Sequence, residues 1–380
     1  MKKGLFVFLI FILKAWLVSA QTPIVKSVEL HTIIPAPTQL TLLNALDTLM
    51  LHIGKGTLES TELNPVGFAL TTSIFHDLKS IANDEKGRHY YNPRLLNLYP
   101  VTANQYFISL VFIRDDAANN SIRAIINLMA AVDSSGVKFS IPLYYLTRNW
   151  KTAKTGNITY HYPDNINILR AKGFDKANTR IALKLGLKPE QFDFYLCNNY
   201  QEILPLLGYE YDQESAGMVS DGYGVDAHTI FSIMHNEDFS HDTFHYYAAK
   251  IRKNARNSAA EEGIAYSWGN AYYTDEHGEM ITQKQLGPKL KEYLVQHPQA
   301  SLLELFSKNP MILTGQLKVR SLIASLICDE VERKQGIIGI KELINCGRGD
   351  DNYFIVVNKF TGINTSNFNE RVAALLENYN

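Results

Sequence analysis

Apolar residues recur at two different periods along this chain, and the order in which the periods alternate constrains the fold. Between residues 22 and 149, stretches of alternating apolar and polar character dominate, notably Gln105 to Phe112 and Val137 to Leu146. Alternation of this kind marks strands with one face buried. Helical periodicity interrupts it around Pro65 to Ile81. After Pro163 an amphipathic helical stretch runs to about Gly186, and strands are expected at Phe192 to Asn198 and Ala227 to Ile233. From Glu237 the period is helical through Lys253 and again from Ser258 to Ala271. The tail from Pro288 to Asn380 is mostly helical, with stops at Gly336, Gly347 and Gly362. The pattern predicts an α+β chain: a small N-terminal α+β domain over 21–150, then a domain over 151–380 in which strands are followed by a mostly helical tail. The polar, turn-rich segment Asn149 to Asn157 marks the boundary.

Composition narrows the function classes. The 380 residues are 46% hydrophobic and 20% charged, with a net charge of −1. That balance advertises neither a nucleic-acid partner nor an anionic membrane. Lys2 and Lys3 precede an apolar run from Leu5 to Leu13, and Val18-Ser19-Ala20 closes it with small residues. This is the pattern of a secretory signal peptide over 1–20, cut near Ala20, with no membrane span remaining afterwards. The expected location is therefore the periplasm or the extracellular space. Cys197, Cys328 and Cys346 are the only cysteines. An odd number spread over so long a chain cannot form a disulfide scaffold.

The chemistry concentrates in one segment. His241 and His245 are four residues apart, so on a helix both imidazoles face the same side and can share one ion. Sixteen residues intervene before Glu262, which lies in the run Glu261-Glu262-Gly263-Ile264-Ala265 at the start of a second helix. Two imidazoles and one carboxylate leave the fourth position of a tetrahedral zinc open for water, as in catalytic rather than structural sites. Asp242, next to the first histidine, can face that water from the same helical turn. Glu261 is an alternative third ligand, and His228 and His235 read as ordinary partly buried or loop histidines.

These residues resemble the gluzincin metallopeptidases, whose peptidase MA-like domain carries HExxH on one helix and a third ligand on a downstream EGxA-like helix. The segment Ala227 to Ser240 precedes the motif as the edge strand and its connection do in that family, and Gly156 to Pro163 is similar to its opening strand. The resemblance implies a zincin-like domain over 151–380, with a mixed sheet, an active-site helix and a helical C-terminal lobe, and it implies Zn2+ as cofactor, with His241, His245 and Glu262 as ligands, and a peptide or protein as substrate. It implies Asp242 as the general base and offers Tyr266, Tyr272, Tyr273 and His277 as oxyanion-stabilising groups. The family has glutamate where this chain has Asp242, and one methylene withdraws the carboxylate by roughly 1.5 Å. Two other readings compete: a peptidase-like module that binds without cleaving, and a metal-dependent phosphohydrolase of the HD type, suggested by the His241-Asp242 pair. The upstream strand, the export signal and the Glu-Gly partner count against the second.

Overall fold

The computed structural model describes residues 25–26, 32–81, 91–114, 121–214, 223–226, 228–232, 236–271, 281–313 and 317–378. The segment read as a signal peptide lies outside the described residues. The fold is α+β, and the chain divides into two compact units. The first holds the described residues up to 68, 74–140 and 210–214; the second holds 69–73, 141–209 and those from 215 onward. Among the described residues no helix is long and apolar enough to cross a membrane.

The first unit is built on strands β1 (Val25–Lys26), β2 (Asn92–Pro100), β3 (Gln105–Ile113), β4 (Ile122–Asp133) and β5 (Gly136–Ser140), ordered β1-β2-β3-β4-β5. All neighbours are antiparallel except β1 and β2. A strand from much later in the sequence, Tyr209–Asp212, also pairs with β4. Helix α1 (Ala36–Lys55) buries Leu42, Leu46, Leu49, Met50 and Ile53, a stripe with helical spacing. The helical period around Pro65 to Ile81 corresponds to α2 (Phe68–Asp77) and a short 3-10 turn. The alternation expected to run from Val137 to Leu146 stops at Ser140. Pro142 lacks the N–H a ladder needs, and the next residues form the single turn α3 (Leu143–Leu146).

The second unit opens with β6 (Lys151–Thr155), β7 (Ile158–Tyr162), α4 (Ile168–Leu185), β8 (Phe192–Tyr195), α5 (Tyr200–Leu206) and, after Tyr209–Asp212 (β9), β10 (Tyr223–Asp226) and β11 (Thr229–Phe231). The sheet order is β10-β11-β8-β7-β6. Strands β7, β8 and β11 run parallel while β6 and β10 are antiparallel edges, so the sheet is mixed. Parallel neighbours need a crossover, and α4 supplies it between β7 and β8. Ile158, Tyr160, Phe192, Phe194 and Ile230 pack with Ala171 and Phe174 of α4 and with Phe239.

Among the described residues only helices then follow: α6 (Ser240–Ile251), α7 (Ser258–Trp268), α8 (Gln283–Gln296), α9 (Leu302–Lys308), α10 (Val319–Ile344), α11 (Asp350–Thr361) and α12 (Phe368–Glu377). Their core centres on α10, where Leu322, Ile323, Ala324, Leu326, Ile327 and Val331 are buried with Ala260 and Ile264 of α7. Gly336 breaks the helical backbone inside α10 (φ 59°), and Gly362 terminates α11 (φ 76°). The close approach of α7 and α10 is made by Gly263. A Cβ there would lie 2.8 Å from both the carbonyl carbon and the Cβ of Ala324. Gly263→Ala is expected to force the helices apart and destabilise the chain by about 1 to 3 kcal/mol, the range for overpacking a tight contact. Denaturant unfolding of the variant against wild type measures it.

Candidate metal centre

Helix α6 starts where it does because the preceding residues cap one another. The amide of Asp238 donates to Oδ1 of Asn236 (3.1 Å), and that of Ser240 donates to Oδ1 of Asp238 (2.8 Å). One face of α6 buries Phe244, Tyr247 and Ala248. The Tyr247 hydroxyl donates to Oδ1 of Asn178 on α4 (2.7 Å) and accepts the amide of Glu190 (2.7 Å), which sets the rotation of the helix. His241 and His245 lie one turn apart and are turned towards α7. That second helix is capped by Asn257, whose side chain accepts from the Ala260 amide (3.1 Å), so Glu262 falls near its first turn. Gly269, just past α7, brings the chain against the start of α6; a Cβ there would lie 2.9 Å from the His241 nitrogen.

The three side chains converge. His241 Nε2 is 3.3 Å from His245 Nε2 and 3.5 Å from Glu262 Oε2, and His245 Nε2 is 3.4 Å from Glu262 Oε1. The two imidazoles thus face different oxygens of one carboxylate; one ligand atom from each of His241, His245 and Glu262 lies within 4.8 Å of the others, and the three residues could hold a small cation. His241 is buried, while His245 and Glu262 are partly accessible.

The outer nitrogens reinforce this assignment. His241 Nδ1 donates to the carbonyl oxygen of Asn270 at 2.9 Å, and His245 Nδ1 faces Glu261 Oε2 at 3.4 Å. With Nδ1 carrying the proton, each Nε2 presents a lone pair to the shared point, the tautomer a metal ligand needs. Asn270 is itself fastened through Nδ2 to Asp238 Oδ1 (2.9 Å) and Ser240 Oγ (3.0 Å). Glu261 has no exposed side-chain surface, and Arg252 Nη1 and Arg256 Nε pair with it. It thus serves as the partner of His245 and lies outside the converging group. Neither Asn270 nor the two arginines was singled out by sequence spacing, because each acts from a connection rather than from the motif helix.

Electrostatics follow from these contacts. Burial opposes ionisation of Glu262, but hydrogen bonds to His241 and His245 outweigh it and hold the carboxyl well below its ordinary range. Burial favours the neutral ring of His245, and the Glu261 and Glu262 carboxylates override it, raising its pKa. Burial also pushes the Asp242 carboxyl up, with the His241 and His245 imidazoles opposing the shift. Its Oδ2 is buried and has no hydrogen-bond partner among the described residues. A carboxyl raised towards neutrality is suited to exchanging protons.

The remaining sequence candidates are elsewhere. Tyr266 is buried in the helical core; its ring centroid lies 5.7 Å from that of His241, and its hydroxyl accepts the Lys318 amide at 3.3 Å. Tyr272, Tyr273, His277 and His235 lie outside the described residues. His228 is largely exposed, with Nδ1 3.8 Å from Glu190 Oε2, and does not join the metal-ligating group. Cys197, Cys328 and Cys346 are free thiols.

A proton and a cation compete for His245 Nε2, and the raised pKa makes the proton the stronger competitor as the solution becomes acidic. A small divalent cation is expected to bind with a stoichiometry of one near neutral pH and to weaken as pH falls through the His245 titration, with protons released on binding. Calorimetry in buffers of different ionisation enthalpy measures both quantities. Glu262→Gln should weaken binding by at least about tenfold, because it removes the only anionic member of the group.

Compared with protein-family models, with curated proteins and with solved structures, the chain matches none of them. The chemical reading therefore stands on the geometry of α6, α7 and their surroundings.

Proposed function

We propose that this chain is an exported zinc-dependent metallopeptidase of the gluzincin kind. The observation that carries the reading is the convergence of His241, His245 and Glu262, one ligand atom of each within 4.8 Å of the others, flanked in sequence by a carboxylate whose Oδ2 is buried and has no hydrogen-bond partner among the described residues. Zinc held by these three residues would supply a Lewis acid and lower the pKa of a bound water towards neutrality. The chain's own groups provide the rest. Asn270 and Glu261 face the Nδ1 atoms of His241 and His245 and so turn both Nε2 atoms to the shared point, and Glu262 contributes the negative charge. Asp242 takes the proton from the attacking water and returns it to the leaving amine. Its raised pKa supports that exchange, since a base is most effective near the ambient pH. Export follows from the charged and apolar pattern of residues 1–20 and supports an extracytoplasmic peptide or protein substrate.

A second reading is favoured by the same residue. Asp242 is one methylene shorter than the family's glutamate, which suits a module that keeps the site and binds peptides without cutting them. The two readings separate in one assay on a mixed peptide library with the zinc-loaded protein. A peptidase should cleave slowly as wild type, lose at least about a hundredfold on Asp242→Asn with zinc retained, and keep or gain rate on Asp242→Glu. Wild type and Asp242→Glu both inert at full zinc occupancy would establish the binding module instead.

A further inference from the structure

Arg256 lies in the connection between α6 and α7 and is, among the described residues, the cation at the metal group with the larger accessible surface. Its side chain is 44% exposed, against 23% for Arg252. Its Nη2 donates to Glu262 Oε1 at 2.6 Å and lies 3.4 Å from both ring nitrogens of His245, so the guanidinium covers that imidazole. Its Nε is 3.2 Å from Glu261 Oε2. Among the described residues these contacts use Nε and Nη2, which leaves the Nη1 amino group for a ligand.

We propose that Arg256 is a specificity-determining residue that receives a carboxylate of the substrate beside the metal position, so that the chain selects peptides with a negative charge near the scissile bond. The inference rests on the metallopeptidase reading. Its physical basis is charge balance in a largely desolvated place. Among the described residues, Glu261 and Glu262 are matched one for one by Arg252 and Arg256. A divalent cation adds two positive charges, and an ionised Asp242 offsets only one of them. A partly buried site with surplus positive charge favours an anionic ligand. Arg252 cannot be the receiver, because it is committed to the fully buried Glu261. Arg256 can, since a guanidinium fork matches a carboxylate in two parallel hydrogen bonds and its pairing to Glu262 relaxes once that carboxylate also faces a metal.

The carboxylate could be a peptide's free C-terminus or an acidic side chain, and the test distinguishes them. The full chain, loaded with one equivalent of cobalt(II), is titrated with three probes: N-acetylalanylalanine, N-acetylalanylglutamate with its terminal carboxyl amidated, and the neutral N-acetylalanylalaninamide. Binding is followed by calorimetry and by the cobalt d–d absorption. At least one of the two anionic probes should bind about tenfold or more tightly than the neutral one, and the tighter of the two names the source of the carboxylate. In Arg256→Gln the preference should fall to within about twofold, with cobalt stoichiometry still one, and Arg256→Lys should restore part of it. A preference undiminished in Arg256→Gln would mean that the metal alone reads the carboxylate and would overturn the proposal, as would a wild type without preference. Failure of the wild type to take up cobalt would remove the metallopeptidase reading itself, an outcome visible before any probe is added.

Discussion

The contact between Gly263 of α7 and Ala324 of α10 sets the position of everything at the metal group. Only a residue without a side chain allows the two backbones to approach this closely, and Glu262 is carried on the residue immediately before it. A second tight approach, at Gly269, holds the far end of α7 against the nitrogen of His241. The helix bearing the carboxylate is therefore clamped at its middle against the helical core and at its far end against the helix bearing the histidines. Distances of 3.3 to 3.5 Å between the Nε2 atoms of His241 and His245 and from each to an oxygen of Glu262 follow from that clamping.

Around this frame lies a ring of polar contacts that resolves an electrostatic difficulty. Bringing two lone-pair nitrogens and a carboxylate together in a partly buried place is unfavourable unless something positive meets them. Arg252 and Arg256 neutralise Glu261 and part of Glu262, and Glu261 and the Asn270 carbonyl draw the histidine protons to the outer nitrogens. The result is a triangle whose inward-facing atoms can all accept a cation. Asp238 takes part twice, capping the start of α6 and holding Asn270, so the same carboxylate orders the helix and the group that orients His241.

Much of this was legible from periodicity and spacing. The α+β class, the helices carrying His241 and Glu262, and the stops at Gly336 and Gly362 follow from local pattern, because a helix face and its terminator are written within a few residues of each other. Helix α1 is absent from the expectations for residues 22–149, which emphasise alternation, although Leu42, Leu46, Leu49 and Ile53 form a regular helical stripe. The strand Tyr209–Asp212 was illegible for another reason: its pairing partner β4 lies some eighty residues earlier in the sequence, and no local signal records such a pairing. The ligand triad could be read because a helix repeats at three to four residues. Its supporting shell could not, because Asn270 acts through a backbone carbonyl, a group every residue possesses, and Arg256 sits in an irregular connection. Glu261 was visible as a carboxylate beside the motif, but only the fold shows that it faces the outer nitrogen of His245.

The free thiols carry a consequence of a different kind. Burial pushes the Cys197 thiol up to about 12 and drives Cys328 well above its ordinary value, so neither offers a nucleophilic thiolate while the fold is intact. Cys328 sits inside α10, among the residues that pack on α7. An alkylating reagent can reach it only when that helix opens, so its labelling rate is a clock for the opening of the core that supports the ligand-bearing helix.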